Sequence, residues 1–223
     1  TSFFALAMRR RMGFRDLRLL GESVSADGYD QAKSVLKIVV GLAAMFEGIG
    51  ILLLLFAFVP QFGLEGVWVS VFTAISAFCN AGFDLFGRFG AYSSLVPYVS
   101  NYYVQAVIMF MIISGGLGFM VWVELCQWYK KRRLSLHAKV VLSFSLILWL
   151  GGALGLGLME WNNPATLGAL PVSGKVMASL FQSVSTRTAG MNTVDLASCG
   201  TLSKLLMSVL QFIGAAPGST GGG

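Results

Sequence analysis

The sequence has 223 residues, of which 56% are hydrophobic and only 12% are charged, whereas an ordinary soluble domain contains about 25% charged residues. This composition excludes a soluble globular domain and places the chain in a lipid bilayer. The net charge of +6 does not indicate a nucleic-acid-binding protein, because the basic residues cluster beside hydrophobic segments.

Three segments predict transmembrane helices: residues 35–59, 104–123 and 140–159. Each is long and apolar enough to cross about 30 Å of hydrocarbon, which requires about 20 apolar residues. The preceding stretch, TSFFALAMRRRMGF, is typical of an apolar helix that leaves a membrane into a basic linker. The chain is therefore expected to be part of a longer protein.

A fourth apolar segment begins near Thr201 and reads TLSKLLMSVLQFIGAAPGSTGGG. Its helical part is predicted to last about a dozen residues, until Gly214 begins a string of helix breakers. A helix of that length would end near the middle of the bilayer.

Lys and Arg concentrate in two of the predicted loops. Seven of the 16 lie in residues 1–37 and five in residues 129–139, whereas the other two loops carry only four. The positive-inside rule places the basic loops in the cytoplasm. The chain is thus predicted to be a multi-pass protein of the plasma (inner) membrane, and its basic loops could also contact membrane lipid.

Both loops predicted to face outward contain a short uncharged segment, at residues 68–83 and 176–186. Each must leave from the outer face and return to it, which predicts a re-entrant helix followed by a shielded loop. The two segments, VFTAISAFCNAGF and LFQSVSTRTAGM, share a Phe, a Ser four residues later and Ala-Gly near the end, with a slip of one residue. The chain therefore contains two copies of one unit: span, half-helix, Gly-loop, span.

Such a unit is suited to binding a dehydrated cation. A half-helix directs its partially negative C-terminal end toward the membrane centre, and the extended loop after it can turn carbonyl oxygens toward the ion. Glycine permits the required backbone angles. No carboxylate is needed, and Asp84, just beyond the first loop, would only concentrate cations. A turn glycine that ends a buried helix is the alternative interpretation for each loop.

Other chemistry is not indicated. The three cysteines have no C-x-x-C spacing and are expected to be free thiols. The glycine string at the end of the sequence lacks the Lys of a phosphate-binding Walker loop, and the single histidine, His137, has no catalytic partner nearby in sequence. The chain is therefore not expected to be an enzyme or to bind a cofactor.

Three sequence stretches resemble the KtrB/TrkH superfamily of potassium transporters, whose chains contain four span, pore-helix, span repeats around one pore. AISAFCNAGFD is similar to the second pore loop of the family and LFQSVSTRTAGMNTVD to the third. QFIGAAPGSTGGG resembles the broken last helix of the third repeat. The sequence differs from the family in lacking a first and a fourth repeat, and Cys79 stands where the family often has Asn.

The resemblance implies a domain organisation and a fold. It implies an all-α integral membrane protein in which residues 1–34 contain the end of a preceding helix and a cytoplasmic linker. Residues 35–128 would be the second repeat, 129–139 a cytoplasmic loop, and 140–223 the third repeat, truncated in its broken last helix.

The resemblance also implies a site for K⁺ formed by main-chain carbonyls. Its members here would be Asn80, Ala81, Gly82, Phe83, Thr188, Ala189, Gly190 and Met191. An intramembrane gate would obstruct the pore beneath them, formed by Gly214, Ala215, Ala216, Pro217, Gly218, Ser219, Thr220, Gly221, Gly222 and Gly223. Arg187 is expected to tie the second pore helix to adjacent backbone, because a cation within the pore would repel the permeant ion.

The implied function is potassium uptake by the pore-forming subunit of a Ktr/Trk-type transporter, with Na⁺ as a possible coupling or regulatory ion. The implied partners are a second copy of the pore subunit, in a homodimer, and a cytoplasmic nucleotide-binding regulatory subunit of the KtrA/TrkA kind. K⁺ versus Na⁺ selectivity, channel versus ion-coupled transport and the regulatory nucleotide stay open. So does the choice between part of a longer protein, which is favoured, and one of two chains that complete one pore. The alternative function is a non-conducting membrane scaffold or regulatory fragment that retains pore-like helices.

Overall fold

The computed structural model describes residues 29–90 and 93–222. Within these residues every regular element is helical. The described residues form seven α-helices: α1 (Tyr29–Phe62), α2 (Leu64–Phe78), α3 (Tyr102–Gly116), α4 (Phe119–Lys131), α5 (Leu136–Glu160), α6 (Val172–Ser185) and α7 (Thr201–Ile213). Two short 3₁₀ helices, Phe86–Phe89 and Val96–Tyr98, lie between α2 and α3.

The chain divides into two units, residues 1–45 and Phe46–Gly223. Of the first unit the structure describes residues 29–45, which form the N-terminal part of α1. The predicted linker at residues 1–34 lies mostly outside the described residues, as do five of the twelve basic residues used to orient the spans.

Two of the three predicted spans are confirmed as single long apolar helices. Residues Leu36–Phe62 of α1 and Leu136–Glu160 of α5 are both long and apolar enough to cross a membrane. The outward side of α5 carries large exposed apolar side chains, among them Phe144, Ile147 and Leu158. An uninterrupted apolar stripe of this kind is suited to contact with lipid.

The third predicted span, residues 104–123, is broken in the structure. Helices α3 and α4 meet at an angle of 100° across a two-residue break. Gly118 sits at the break with φ +88°, and a Cβ there would lie 2.8 Å from the Pro217 carbonyl oxygen. The Phe119 amide, which begins α4, donates to the Gly218 carbonyl at 3.1 Å. The glycine-rich segment after α7 therefore packs where a continuous helix would have run.

The short apolar segments also form helices close to their predicted positions. Helix α2 begins directly after Gly63, whose φ of +60° turns the chain tightly out of α1. Helix α7 has 13 residues and ends at Ile213, so the prediction of about a dozen helical residues before Gly214 is confirmed.

The core brings α2 and α6 together through α3. Helix α2 packs on α3, and α6 packs on both α3 and α5. Phe58, Phe86 and Tyr98 form an aromatic cluster at one end of this core, with ring centroids of Phe58 and Tyr98 5.5 Å apart. Because α2 and α6 both pack on α3, the loops that follow these two helices approach each other.

Candidate cation-binding site

The first glycine loop follows α2 with an irregular but well-defined backbone. Asn80 has φ +49° and Gly82 has φ +74°, so left-handed residues alternate with ordinary ones. The Ala81 amide donates to the Ser76 carbonyl at 2.9 Å, and the Ser76 hydroxyl donates to the Phe83 carbonyl at 2.6 Å. The loop is thus attached at both ends to the last turn of its own helix.

The second glycine loop follows α6 in the same way. Thr188 has φ +78° and Gly190 has φ +80°, again two residues apart. The Gly190 amide donates to the Ser185 carbonyl at 3.1 Å, and the Ser185 hydroxyl donates to the Met191 carbonyl.

The structural match extends to the slip seen in the sequence. Ser76 and Phe83 are seven residues apart, whereas Ser185 and Met191 are six apart, yet both serine hydroxyls bind the carbonyl directly after the loop glycine. The repeated Ser therefore has the same contact in both copies.

The two loops meet at their glycines. A Cβ built on Gly82 would lie 2.5 Å from the Ala189 carbonyl oxygen and 3.3 Å from the Gly190 Cα. A Cβ built on Gly190 would lie 3.6 Å from the Gly82 Cα. The structure thus brings together the two segments that the sequence predicts as site residues, and only glycine allows this spacing at Gly82.

Side chains in the loops have different surroundings in the two copies. Met191 and Ala189 are buried in the core, and Asn80 is 8% exposed. Phe83, the counterpart of Met191, is 68% exposed. The copies share the backbone pattern and the serine contact, but not the surroundings of their loop side chains.

Polar side chains from both loops point toward the glycine-rich segment after α7. The Asn80 amide atoms and the Thr188 hydroxyl are buried and have no hydrogen-bond partner among the described residues. A Cβ on Gly221 would lie 2.6 Å from the Thr188 Oγ1 and 2.7 Å from the Asn80 Nδ2. The absence of a side chain at Gly221 lets this segment lie directly against the loops.

The glycine-rich segment is held in place by its backbone. The Ala216 amide donates to the Gly116 carbonyl at 3.0 Å and the Thr220 amide to the Gly115 carbonyl at 3.1 Å. The Thr220 hydroxyl donates to the carbonyl of Phe78, the last residue of α2, at 2.7 Å. The predicted gate segment, of which Gly223 lies outside the described residues, therefore crosses next to both glycine loops.

Arg187 connects the second loop to this segment. Its Nε donates to the Gly214 carbonyl at 2.9 Å, and the guanidinium lies 5.8 Å from the Trp149 ring centroid. The side chain is 8% exposed. The expectation that Arg187 binds backbone is confirmed, and the bound carbonyl is the first of the glycine-rich segment.

The acidic side chains lie around the loops and not between them. Asp84 Oδ1 accepts the Phe86 amide at 2.9 Å, so it caps the 3₁₀ turn after the first loop. The Glu47 carboxylate lies 3.9 Å from the Cys79 sulfur. In the part of the chain that the structure describes, no three His, Cys, Asp or Glu side chains are grouped to hold a metal ion. The oxygens described beside the loop glycines are main-chain carbonyls and the side-chain oxygens of Asn80 and Thr188.

Sequence reasoning missed a buried carboxylate at the end of α5. Glu160 is 4% exposed and accepts hydrogen bonds from the Gly200 amide at 2.8 Å and from the Ser203 hydroxyl. Its second oxygen accepts from Asn163 at 2.7 Å and Thr166 at 2.8 Å. Glu160 thus caps the N-terminus of α7, where a negative charge is favourable. The available signal was an acid closing the apolar run 140–159.

Comparison with known proteins places this sequence in a family. The family model described as "TrkH: Cation transport protein" matches residues 9–223. The chain is similar to the potassium/sodium uptake protein NtpJ of Enterococcus hirae, with 34% identity over 222 residues, covering 99% of this chain and 48% of that protein.

Two further relatives carry the name Ktr system potassium uptake protein B. The protein from Vibrio alginolyticus is 36% identical over 216 residues, covering 96% of this chain and 46% of the relative. The protein from Bacillus subtilis is 34% identical over 219 residues, covering 98% of this chain and 48% of the relative. The chain spans about half the length of these relatives, and it belongs to the TrkH family of cation transport proteins.

Proposed function

We propose that the chain forms two of the repeats that line the pore of a potassium uptake protein. The observation that carries this proposal is the meeting of two glycine loops with the same backbone pattern, the same serine contact and glycines in contact. The names of the relatives support cation uptake as the function of the longer protein.

The lengths of α2 and α6 support re-entrant pore helices. At about 1.5 Å of rise per residue, their 15 and 14 residues reach about 22 Å, less than the hydrocarbon thickness of about 30 Å. Each helix enters from one face and ends at its glycine loop inside the membrane. Irregular backbone is tolerated at that depth because protein surrounds it.

Main-chain oxygens perform the selection in this proposal. The C-terminal ends of α2 and α6 add partial negative charge beside the loops, and the loop carbonyls replace the hydration shell of a K⁺ ion. The filter residues are Asn80 to Phe83 and Thr188 to Met191. The carbonyls of Phe83 and Met191, already bound by hydroxyls, form the anchored outer end of each loop.

The glycine-rich segment acts as the gate. Residues 214–222 lie against Asn80 and Thr188, on the side of the loops that faces the ends of α2 and α3. Few side chains and several glycines allow this segment to move aside at low cost. Opening breaks its hydrogen bonds to α2 and α3.

Two loops do not surround an ion, so further repeats of the longer protein complete the ring. An open cavity of about 420 Å³ lies beside Gly190, lined on its other side by α7 residues that include Lys204, Met207 and Gln211. This space suits the pore loop of a neighbouring repeat. With the basic loops in the cytoplasm, the filter faces outward and the gate inward, in the plasma membrane.

Family membership supports a proposal for the assembly. We propose a homodimer of pore subunits, bound on the cytoplasmic side by a nucleotide-binding regulatory subunit of the KtrA/TrkA kind. The name "Ktr system" of two relatives fits a transporter with more than one component.

Replacement of the loop glycines in the intact protein tests the proposal against the alternative of a non-conducting scaffold. Gly82→Leu or Gly190→Leu should abolish Rb⁺ uptake or change its selectivity in bacteria that lack other potassium uptake systems. Gly151→Leu is the control, because a Cβ at Gly151 has nothing within 4 Å. Uptake that is unaffected by either loop substitution would favour the scaffold.

A further inference from the structure

One serine in the last turn of each pore helix makes the same contact with the loop that follows it. Ser76 is 5% exposed and Ser185 is 1% exposed. In each case the hydroxyl donates to the carbonyl directly after the loop glycine, at Phe83 and Met191. The two helices differ in sequence around these positions, so the duplication points to a common requirement.

Each serine holds its loop at two points. The Ser76 carbonyl accepts the Ala81 amide, and the Ser185 carbonyl accepts the amides of Ala189 and Gly190. The hydroxyl of the same residue then binds the far end of the loop. One residue of the last helical turn therefore sets both where the loop begins and where its last carbonyl lies.

We infer that Ser76 and Ser185 are positioning residues that set the ion selectivity of the filter, an inference that rests on the proposed function. Carbonyl oxygens that converge on one cation repel one another through their partial negative charges. Each serine hydroxyl binds the oxygen of the carbonyl after the loop glycine, which removes that oxygen from the converging set and fixes the spacing of the carbonyls that remain. Neither serine touches the ion; each acts through the backbone.

Each pore helix provides its own control serine. The Ser70 hydroxyl in α2 donates to the Gly66 carbonyl at 2.7 Å, and the Ser179 hydroxyl in α6 donates to the Lys175 carbonyl at 2.7 Å. Both are buried, at 0% and 4% exposed, and both bind only the preceding turn of their own helix. Replacement of either removes a buried hydroxyl from a pore helix without touching the loops.

The test uses the intact transport protein in proteoliposomes and measures Rb⁺ uptake in competition with Na⁺. Ser76→Ala and Ser185→Ala should each lower the Rb⁺/Na⁺ preference by about three- to tenfold, the range expected when one net hydrogen bond is lost from the selective geometry. Ser70→Ala and Ser179→Ala should retain the wild-type preference. Ser76→Cys and Ser185→Cys, with a weak donor at the same position, should give intermediate values.

The outcomes separate this inference from the proposed function. If Ser76→Ala and Ser185→Ala keep the wild-type Rb⁺/Na⁺ preference, the inference is overturned, although wild-type uptake still supports a pore. An equal loss of preference in Ser70→Ala and Ser179→Ala also overturns the inference. Absence of cation uptake by the wild-type protein would overturn the proposed function and the inference with it. If an alanine variant does not accumulate in the membrane, the cysteine variant decides, with a lowered preference supporting the inference and a wild-type preference overturning it.

Discussion

Alanine at the two loop glycines should have unequal effects. At Gly82 the new methyl group would lie 2.5 Å from the Ala189 carbonyl oxygen, which is backbone of the other loop. At Gly190 the new methyl group would lie 3.6 Å from the Gly82 Cα, an ordinary van der Waals distance. Both residues have positive φ, +74° and +80°, so both substitutions strain the backbone.

The structure gives the size of the difference. A left-handed conformation costs a non-glycine residue about 1–2 kcal/mol, and this cost applies to both variants. Gly82→Ala adds overpacking against a carbonyl that cannot rotate away, which costs about 1–3 kcal/mol. Since about 1.4 kcal/mol corresponds to a factor of ten in a rate, Gly82→Ala should lower Rb⁺ uptake several-fold to about a hundredfold more than Gly190→Ala does.

The assay is initial Rb⁺ uptake by the intact protein in cells without other potassium uptake, normalised to the amount of protein in the membrane. Gly151→Ala serves as the control, because it adds a methyl group in open space on α5. Equal uptake by Gly82→Ala and Gly190→Ala, or lower uptake by Gly190→Ala, would refute the described contact between the loops.

Three further predictions concern the gate, the cap of α7 and a buried thiol. Gly221→Ala places a methyl group 2.6 Å from a hydroxyl of the second loop, so it should displace the closed gate and raise Rb⁺ uptake; lowered or unchanged uptake with normal expression would argue against a gate here. Glu160→Gln removes charge-assisted hydrogen bonds, including one from the Gly200 amide, and should reduce the free energy of unfolding by about 1–3 kcal/mol, seen as a lower melting temperature in detergent; an unchanged melting temperature would contradict the capping role. Burial raises the pKa of the Cys199 thiol to about 11, and the thiolate is the reactive form. Maleimide should therefore label Cys199 at pH 7.5 at least about tenfold more slowly in the folded protein than in SDS. Mass spectrometry of the labelled peptide measures the two rates, and equal rates would disprove the prediction.

Local sequence signals were sufficient to predict the helices whose extent depends only on the residues within them. The apolar runs of α1 and α5 predict membrane-spanning lengths because no charged residue or proline interrupts their centres, apart from Glu47. Gly214 predicts the end of α7 because glycine readily adopts the φ of +70° that it has there. The repeated Phe, Ser and Ala-Gly pattern predicts that the two loops are similar, because the contacts that shape each loop lie within one short segment.

Features that depend on distant residues were not predictable. The break between α3 and α4 follows from the packing of Pro217 and Gly218 on Gly118, about a hundred residues away in sequence. The role of Glu160 depends on Gly200 and the start of α7. Neither contact leaves a periodic pattern in the sequence, because each joins a single acceptor, the Gly218 carbonyl or the Glu160 carboxylate, to one distant backbone amide.

The loop side chains show why the candidate site is defined by its backbone. Phe83 and Met191 are equivalent in sequence, but Phe83 is 68% exposed and Met191 is fully buried. The copies share positive φ at alternate residues and a serine hydroxyl that donates to the carbonyl after the loop glycine. The residue types that predict the site are therefore the loop glycines and the serine in the preceding helix.

The central claim is that main-chain carbonyls of the two glycine loops bind the permeant ion together. An experimental structure of the intact protein with Rb⁺ or Tl⁺, using anomalous diffraction to locate the ion, tests it most directly. The account predicts an anomalous peak between the carbonyl oxygens of Ala81 and Gly82 and those of Ala189 and Gly190. A peak at the carboxylates of Asp84 or Glu47, with none between the loops, would contradict it.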